Sequence, residues 1–349
     1  MPRMSVIIST CRLEEESNLP VWKRVVKGEE VGGRSLVRGR FQWLLEECVT
    51  PDMESFLEPT LRSLELQSFR DFEVIIVDWH AEKRRHITER YQGKLRIKHV
   101  RDKPSPWHSL KPPPGWEARA EPAFPAVCNA RNSGVVLAEG ELLLFMDDNI
   151  ILEPETLEAC WEWFERGYGV KLIRHRWNYS GRLRLEPDRC LWEAGWQPYS
   201  YRGAWSHGFT VSLEDMLKVN GFEEVLCDGT VGAEDIDLSN RLHNLLEKPS
   251  GKPRMVLDKR AVAWELGHIH VQEWRPCVRL NILLLDIVRD WERDILANTR
   301  KPTGEELEEY KRRMLERGEK LHPYWNLFPV EPFSLRELRD RYWRGEYSW

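Results

Sequence analysis

Three short runs of apolar residues, each ending on a polar residue, place the strongest constraint on the fold of this chain. The runs are Met4–Thr10, Phe72–Asp78 and Glu141–Met146, the last followed at once by Asp147, Asp148 and Asn149. A run that is apolar at consecutive positions indicates a strand buried on both faces, as in parallel sheets. The three runs therefore predict a buried and mostly parallel sheet.

Helical patterns lie between and after these strands. Apolar residues recur at helical spacing before the second strand, at Phe56, Leu57, Leu61 and Leu64, and again after Pro154, at Leu157, Cys160, Trp161 and Phe164. Strands that alternate with helices predict an α/β fold with a Rossmann-like, mostly parallel central sheet flanked by helices. Ligands of such sheets bind beyond the carboxyl ends of the strands, so Thr10, Asp78 and Asp147 mark the expected site.

The rest of the chain divides into loop-like and helical segments. Three segments have the composition of long loops, namely 12–50, 103–125 and 177–208, and such loops are usually functional. The pattern at 95–100 predicts a strand, and that at 255–264 predicts a strand pair or a bent strand. The patterns at 234–246 and from residue 277 onward predict helices. We predict one domain over residues 1–275, with an insertion at 12–50, and a helical C-terminal extension over 276–349.

The composition is that of a globular protein, with 41% apolar and 31% charged residues. The first ten residues lack the features of a signal peptide, and the longest apolar candidate, Ile282–Val288, is far shorter than a bilayer span and contains Asp286. Seven cysteines without a C-x-x-C pair argue against a disulfide framework and a zinc cluster. These features predict a cytoplasmic protein with no membrane span.

The acidic residues after the third run have a chemistry suited to phosphate-bearing substrates. Asp147, Asp148 and Asn149 offer hard oxygen ligands, which Mg²⁺ or Mn²⁺ prefers when it is shared with substrate phosphates. Such a cation acts as a Lewis acid on a departing phosphate group. The same three residues are also good turn formers, so a purely structural interpretation exists beside the functional one.

Two further groups of residues are candidates. Glu234 and Asp235 precede a predicted helix, where a carboxylate can accept the proton of a substrate hydroxyl or, alternatively, can stabilise the helix N-terminus. His268 and His270 follow an apolar strand, and alternation places both rings on one face. In the functional interpretation one of them completes a metal shell, and in the alternative both are ordinary core or surface residues.

In their order along the chain, these segments resemble glycosyltransferase family 2, a family of inverting transferases with the GT-A fold. The matching segments are Ser5–Thr10, Leu61–Asp78, Asn129–Gly134 (similar to the family's Ala-Arg-Asn turn), Ala138–Glu141, Asp147–Pro154 (similar to its D-x-D region) and the late pair Glu234-Asp235. The resemblance implies a hexosyltransferase that moves a sugar from a nucleoside-diphosphate sugar, with UDP-sugar favoured, to a hydroxyl of a saccharide or small acceptor. It also implies a single displacement with inversion at the anomeric carbon.

The resemblance assigns roles to individual residues. It implies that Thr10 and Asp78 contact the base and ribose, that Arg131 contacts the nucleotide, and that Asp147 and Asp148 serve the ribose and an Mn²⁺ or Mg²⁺ ion. It places Asn149 at the third position of the metal motif. Asp235 is expected to be the general base, assisted or positioned by Glu234.

Two features depart from the family pattern or favour another acceptor. Trp79 and His80 follow Asp78, where the family usually has an acid, a glycine and a serine. Between Lys83 and Lys103 nine Lys and Arg residues stand against Glu89 and Asp102, a local excess of +7 in a chain of net charge −5. This basic stretch, together with 17 tryptophans, favours a DNA glycosyltransferase acting on a hydroxymethylated base as an alternative. A catalytically silent binding domain is the third interpretation.

Overall fold

The computed structural model describes residues 1–11, 19–27, 40–119, 121–177, 183–185, 195–203, 208–229, 232–267 and 277–349. Within these residues the helices are α1 (Leu19–Val26), α2 (Arg40–Cys48), α3 (Leu57–Glu65), α4 (Ala81–Glu89), α5 (Val127–Leu137), α6 (Thr156–Glu165), α7 (Leu213–Lys218), α8 (Glu224–Cys227), α9 (Glu234–Leu242), α10 (Asn281–Val288), α11 (Gly304–Glu316) and α12 (Leu335–Trp343). The strands are β1 (Met4–Thr10), β2 (Phe72–Asp78), β3 (Ile97–Val100), β4 (Leu142–Asp147), β5 (Ile150–Leu152), β6 (Gly169–Val170), β7 (Ile173–Trp177), β8 (Leu183–Leu185), β9 (Trp196–Tyr199), β10 (Phe209–Ser212), β11 (Met255–Asp258) and β12 (Val262–Leu266).

The central sheet is the one that the apolar runs predicted. In the described part of the chain it has five strands in the order β10-β4-β1-β2-β3, and only β10 is antiparallel to its neighbour. The strand positions at 4–10 and 72–78 are confirmed, and β3 and β4 begin within two residues of the predicted positions. The α/β fold class is confirmed.

Two smaller sheets flank this one in the described residues, with strand orders β6-β11-β9 and β5-β12-β7-β8. The strand pair predicted at 255–264 is confirmed as β11 and β12, although these two strands belong to different sheets. The prediction of loops at 12–50 and 177–208 is wrong where the structure has α1, α2, β8 and β9. The helices α1 and α2 are stabilised by tertiary burial. Trp22 of α1 and Leu44 of α2 pack in one cluster with Ile151 and Trp264, which belong to the sheet β5-β12-β7-β8.

The segment that resembles an Ala-Arg-Asn turn is helical, since Asn129 to Gly134 lie inside α5. This difference matters because a helix sends neighbouring side chains in different directions. Asn132 holds the backbone of Phe222 by accepting from its N–H at 2.8 Å and donating to its carbonyl at 2.9 Å. Arg131, one residue earlier, points elsewhere, towards the carboxyl end of β4.

The C-terminal helices share a core with the central sheet. Leu284 of α10, Tyr310 of α11 and Leu335 of α12 are fully buried and belong to the same apolar cluster as Ile7 of β1 and Phe145 of β4. Of the helical structure predicted from residue 277 onward, the helices α10, α11 and α12 are confirmed, and the segments 289–303 and 317–334 between them are not helical. The domain boundary near residue 276 stays a prediction. None of the helices in the described ranges combines the length and the apolar character that crossing a bilayer requires.

Candidate active site

The strand register brings the predicted strand-end residues to one edge of the sheet. Thr10 lies opposite Asp78 in the pairing of β1 with β2, and Ser9 lies opposite Asp147 in the pairing of β1 with β4. A narrow cavity opens at this edge and is lined by Ser9, Arg131, Phe145, Asp147, Phe209 and Asp235 among others. Two acids that are 88 residues apart in sequence, Asp147 and Asp235, therefore face the same space.

Arg131 is held between two carboxylates at this cavity. Its Nη1 donates to Oε1 of Glu234 at 3.0 Å, and its Nη2 lies 3.7 Å from Oδ1 of Asp147. Burial alone would lower the pKa of Arg131, but the carboxylates of Glu234, Asp147 and Asp235 outweigh burial, so its pKa is raised. Burial raises the pKa of Glu234 as well, with Asp235 adding to the rise and Arg131 opposing it. The Arg131 side chain therefore stays a cation among these three acids at the strand ends.

The acidic pair lies at the start of α9, as predicted, and the turn that leads into the helix has an unusual backbone. Gly232 and Ala233 both have positive φ, of 106° and 71°, a region that alanine rarely occupies. Asn281 of α10 fixes this turn, because its Nδ2 donates to the carbonyl of Gly232 at 3.0 Å. Asp235 follows and its Oδ1 accepts from the N–H of Ile236 at 2.8 Å. The orientation of the first turn of α9 is therefore fixed in part by a contact from outside the helix, the hydrogen bond from Asn281.

The residues of the predicted metal motif differ in their surroundings. Oδ2 of Asp148 accepts from the hydroxyl of Thr10 at 2.5 Å, so two residues predicted to contact the donor touch each other. Asn149 is buried and its Nδ2 donates to the carbonyl of Leu266 at 2.7 Å, which directs the amide nitrogen towards β12. Asp147 is the residue of the three that lines the cavity.

Asp78 lies at the predicted strand end but is completely buried. Its carboxylate accepts from Nη2 of Arg84 at 2.5 Å and from the backbone N–H of His80 at 2.8 Å, and it pairs with Nε2 of His99 at 3.0 Å. Burial by itself would raise the pKa of Asp78, but the contacts with His99 and Arg84 prevail and lower it. Arg84 also lies 3.4 Å from the Thr10 hydroxyl, so it links Asp78 to β1.

Two of the predicted metal ligands, His268 and His270, lie outside the described residues. Among the residues that are described, no group of three or more His, Cys, Asp or Glu side chains converges as a ready-made metal site. The donor set at the strand end nevertheless has the chemistry that Mg²⁺ and Mn²⁺ prefer, because Asp147 and Asp148 supply carboxylate oxygens.

The basic stretch from Lys83 to Lys103 is largely neutralised by carboxylates from other parts of the chain. Seven of its nine cations have an ion pair at 2.5–3.4 Å, namely Arg84, Arg85, Arg90, Lys94, Arg96, Lys98 and Lys103. The local excess of +7 in the sequence is therefore mostly cancelled in three dimensions. This pairing argues against a phosphate-binding groove on this stretch.

Some site residues carried no signal in the sequence. Ser9, Phe145 and Phe209 line the cavity although they look like ordinary strand residues. Arg84 and His99 hold Asp78 although each belongs to a run of basic residues with no motif. These residues are neighbours because of the order of the strands in the sheet, and local sequence patterns do not predict that order.

The fold of this chain is similar to that of solved structures, although its sequence matches no family model. No protein-family model and no curated protein sequence matches the chain. Solved structures do match: S. aureus TarS in complex with UDP-GlcNAc gives a TM-score of 0.51 at 15% identity, over 90% of this chain and 73% of that one. The chain has a GT-A glycosyltransferase fold.

Two more structures show the same likeness less closely than that TarS complex. Another structure of S. aureus TarS gives a TM-score of 0.48 at 15% identity, over 90% of this chain and 43% of that one. The mannosyltransferase PcManGT from Pyrobaculum calidifontis, in complex with GDP-Man and Mn²⁺, gives 0.41 at 14% identity, over 76% and 56%. This chain thus spans only about half the length of these two structures. At such identities the GT-A likeness describes the fold.

Proposed function

We propose that this chain is a glycosyltransferase that moves a sugar from a nucleoside-diphosphate sugar to an acceptor hydroxyl, with inversion at the anomeric carbon. The observation that carries the proposal is the single cavity lined by Asp147, Arg131 and Asp235 at the carboxyl end of the central sheet. A UDP-sugar is the favoured donor, and S. aureus TarS, which has the same fold, binds UDP-GlcNAc. The acceptor is a saccharide or another small hydroxylated molecule.

Each side of the cavity has a distinct task in this reaction. The acceptor oxygen attacks the anomeric carbon, the bond from that carbon to the diphosphate oxygen breaks, and the acceptor proton passes to Asp235. Arg131 remains a cation because of its carboxylate neighbours, and it favours the negative charge that develops on the departing diphosphate. Glu234 acts by positioning Arg131, since their side chains share a hydrogen bond of 3.0 Å.

A divalent cation, Mn²⁺ or Mg²⁺, fits the acids at the end of β4. Asp148 and Asp147 would hold it through their carboxylate oxygens, and His268 or His270, which lie outside the described residues, is the further ligand predicted from the sequence. When bound, such a cation supplies Lewis-acid stabilisation of the leaving group. Thr10 orients the Asp148 carboxylate through its 2.5 Å hydrogen bond.

The test is a donor screen followed by one substitution. Hydrolysis of several nucleotide sugars is measured with and without Mn²⁺, and hydroxymethylated DNA is added in a parallel series. Asp235→Asn is then expected to lower transfer by about 10²–10⁴-fold while the affinity for UDP stays unchanged, because only the proton acceptor is lost.

Glu305→Gln is the matched control, since Glu305 is also an acid in the first turn of a helix but is exposed and is not among the residues that line the cavity. Transfer by the Glu305→Gln protein should equal that of the unaltered chain. Equal turnover in the Asp235→Asn protein would remove the base assignment. If the unaltered chain neither binds nor hydrolyses any nucleotide sugar of the screen, the result would instead support a catalytically silent binding domain.

A further inference from the structure

We infer that Arg101, presented on the ring of Trp79 and positioned by Trp349, contacts the nucleobase of the donor. The inference rests on the proposed function and extends it to residues at which the chain departs from the family pattern. Its basis is a stack of side chains at the same sheet edge as Asp78 and Thr10. Three separate observations lead to it.

The first observation is the location of Trp79. It directly follows β2, and its backbone N–H donates to the carbonyl of Thr10 at 3.0 Å, which fixes it at the carboxyl ends of β1 and β2. The adjacent strand β3 runs parallel to β2, with Val100 in register with Val77. Arg101 therefore leaves the sheet at the same edge, beside Trp79.

The second observation is the contact between these two side chains. The guanidinium carbon of Arg101 lies 3.8 Å from the centre of the Trp79 ring, a stacking distance. The ring of His108 lies 4.3 Å from the same ring at an angle of 58°. A guanidinium stacked in this way keeps its other face available, and guanidinium planes stack well on nucleobases.

The third observation distinguishes Arg101 from the other cations of the basic stretch. Seven of the other eight cations form ion pairs with carboxylates. Lys83 and Arg101 are both exposed and have no ion pair within 4.0 Å among the described residues, and of these two Arg101 is the one that stacks on an aromatic ring. A charge that is held in place but not neutralised is suited to a ligand. The edge of the sheet where it lies is the edge at which the donor is proposed to bind.

The C-terminal residues hold this arrangement from outside. Nε1 of Trp349 donates to the carbonyl of Arg101 at 2.9 Å, and the Trp349 ring packs on Tyr342 and Tyr347 at 5.1 and 5.6 Å. The preceding helix α12 is itself attached to α5, because Arg339 donates to the carbonyls of Val135 and Val136 at 3.1 and 2.6 Å. Trp349 is therefore a positioning residue for Arg101.

The test measures binding of UDP and GDP to the full chain by calorimetry. Arg101→Ala is expected to weaken binding of the preferred nucleotide roughly 10-fold, the size of one lost stacking contact. The matched control is Lys83→Ala, which removes another exposed cation of the same stretch, and its affinity should stay within about 2-fold of the unaltered chain. Uridine as a competitor should lose affinity by the same factor as UDP.

Trp349→Phe tests the positioning role, because it removes the indole N–H and keeps an aromatic ring. We expect the KM for the donor to rise roughly 3-fold with kcat unchanged, as for a single lost hydrogen bond. Trp343→Phe is its control, since Trp343 donates an equivalent 2.9 Å bond to Val136 rather than to Arg101. That control should leave the KM unaltered.

The outcomes separate the inference from the proposed function. If the unaltered chain binds neither UDP nor GDP, both are overturned. If it binds one of them and Arg101→Ala behaves as Lys83→Ala does, the inference alone is overturned. A loss of UDP affinity without a loss of uridine affinity would place Arg101 on the diphosphate and would also overturn the nucleobase contact.

Discussion

Replacing Arg131 with alanine tests the charge arrangement on which the site depends. The substitution leaves the carboxylates of Glu234 and Asp147 without their shared cation, and Arg131 and Glu234 are only 9% and 8% exposed. Truncating one partner of a buried ion pair costs about 3–5 kcal/mol of stability, because the remaining charge is buried without a partner. We expect Arg131→Ala to lower the free energy of unfolding by about that amount near pH 7.5.

The loss should depend on pH in a defined direction. Burial has already raised the pKa of Glu234, and removing Arg131, which opposes that rise, raises it further. A carboxyl whose folded-state pKa is raised contributes stability below its unfolded pKa and loses it as the pH rises through the folded value. The difference between the Arg131→Ala protein and the unaltered chain should therefore shrink as the pH falls from about 7.5 to about 5.5.

Urea unfolding of four proteins measures both effects. The set is the unaltered chain, Arg131→Ala, Glu234→Gln and the double variant, and it forms a double-mutant cycle. We expect a coupling free energy of about 1–3 kcal/mol, because Glu234→Gln removes the charge that Arg131→Ala leaves unpaired. Additive losses within about 0.5 kcal/mol at pH about 7.5 would refute the ion pair as the determinant of this geometry.

Two further predictions concern stability outside the cavity. Burial raises the pKa of Asp102 to about 6, so ionisation of Asp102 lowers the free energy of unfolding as the pH rises from about 4 to 6. The Asp102→Asn protein lacks this loss. Its free energy of unfolding, measured by urea unfolding at several pH values, should therefore increase by about 2–3 kcal/mol relative to that of the unaltered chain between those two pH values. Gly140→Ala should cost more than about 3 kcal/mol or prevent folding, because its Cβ would lie 2.5 Å from the backbone carbon of Met4. Gly304→Ala meets nothing within 4 Å and should be neutral or slightly stabilising, and equal melting temperatures for these two glycine variants would contradict the packing argument.

The close packing at Gly140 also shows what the family-like motifs do for the fold. The N–H of Gly140 donates to the hydroxyl of Ser5 at 2.9 Å, and that hydroxyl donates to the buried Glu73 at 2.7 Å. Gln67, another motif position, donates to the carbonyl of Glu153 at 2.9 Å. These motif residues therefore join segments that are distant in sequence.

The sequence by itself determined the central strands, the helix that begins at Glu234 and the acids at the strand ends. Continuous apolar runs and helical spacing are local properties, so burial on both faces of β1, β2 and β4 follows from the residues within each run. It also placed Asp147 and Asp235 at the ends of elements. It did not show that they share a cavity.

The tertiary structure decided which of these ends meet and which charges remain. Strand order placed Ser9 beside Asp147, brought Arg131 between two acids and cancelled most of the basic stretch. Tertiary packing also stabilised α1 and α2, since Trp22 and Leu44 are buried in a cluster that includes Ile151 and Trp264, which are distant in sequence. Coulombic interactions and the packing of separate segments act through space, between residues far apart along the chain, and a local pattern does not show which of these residues meet.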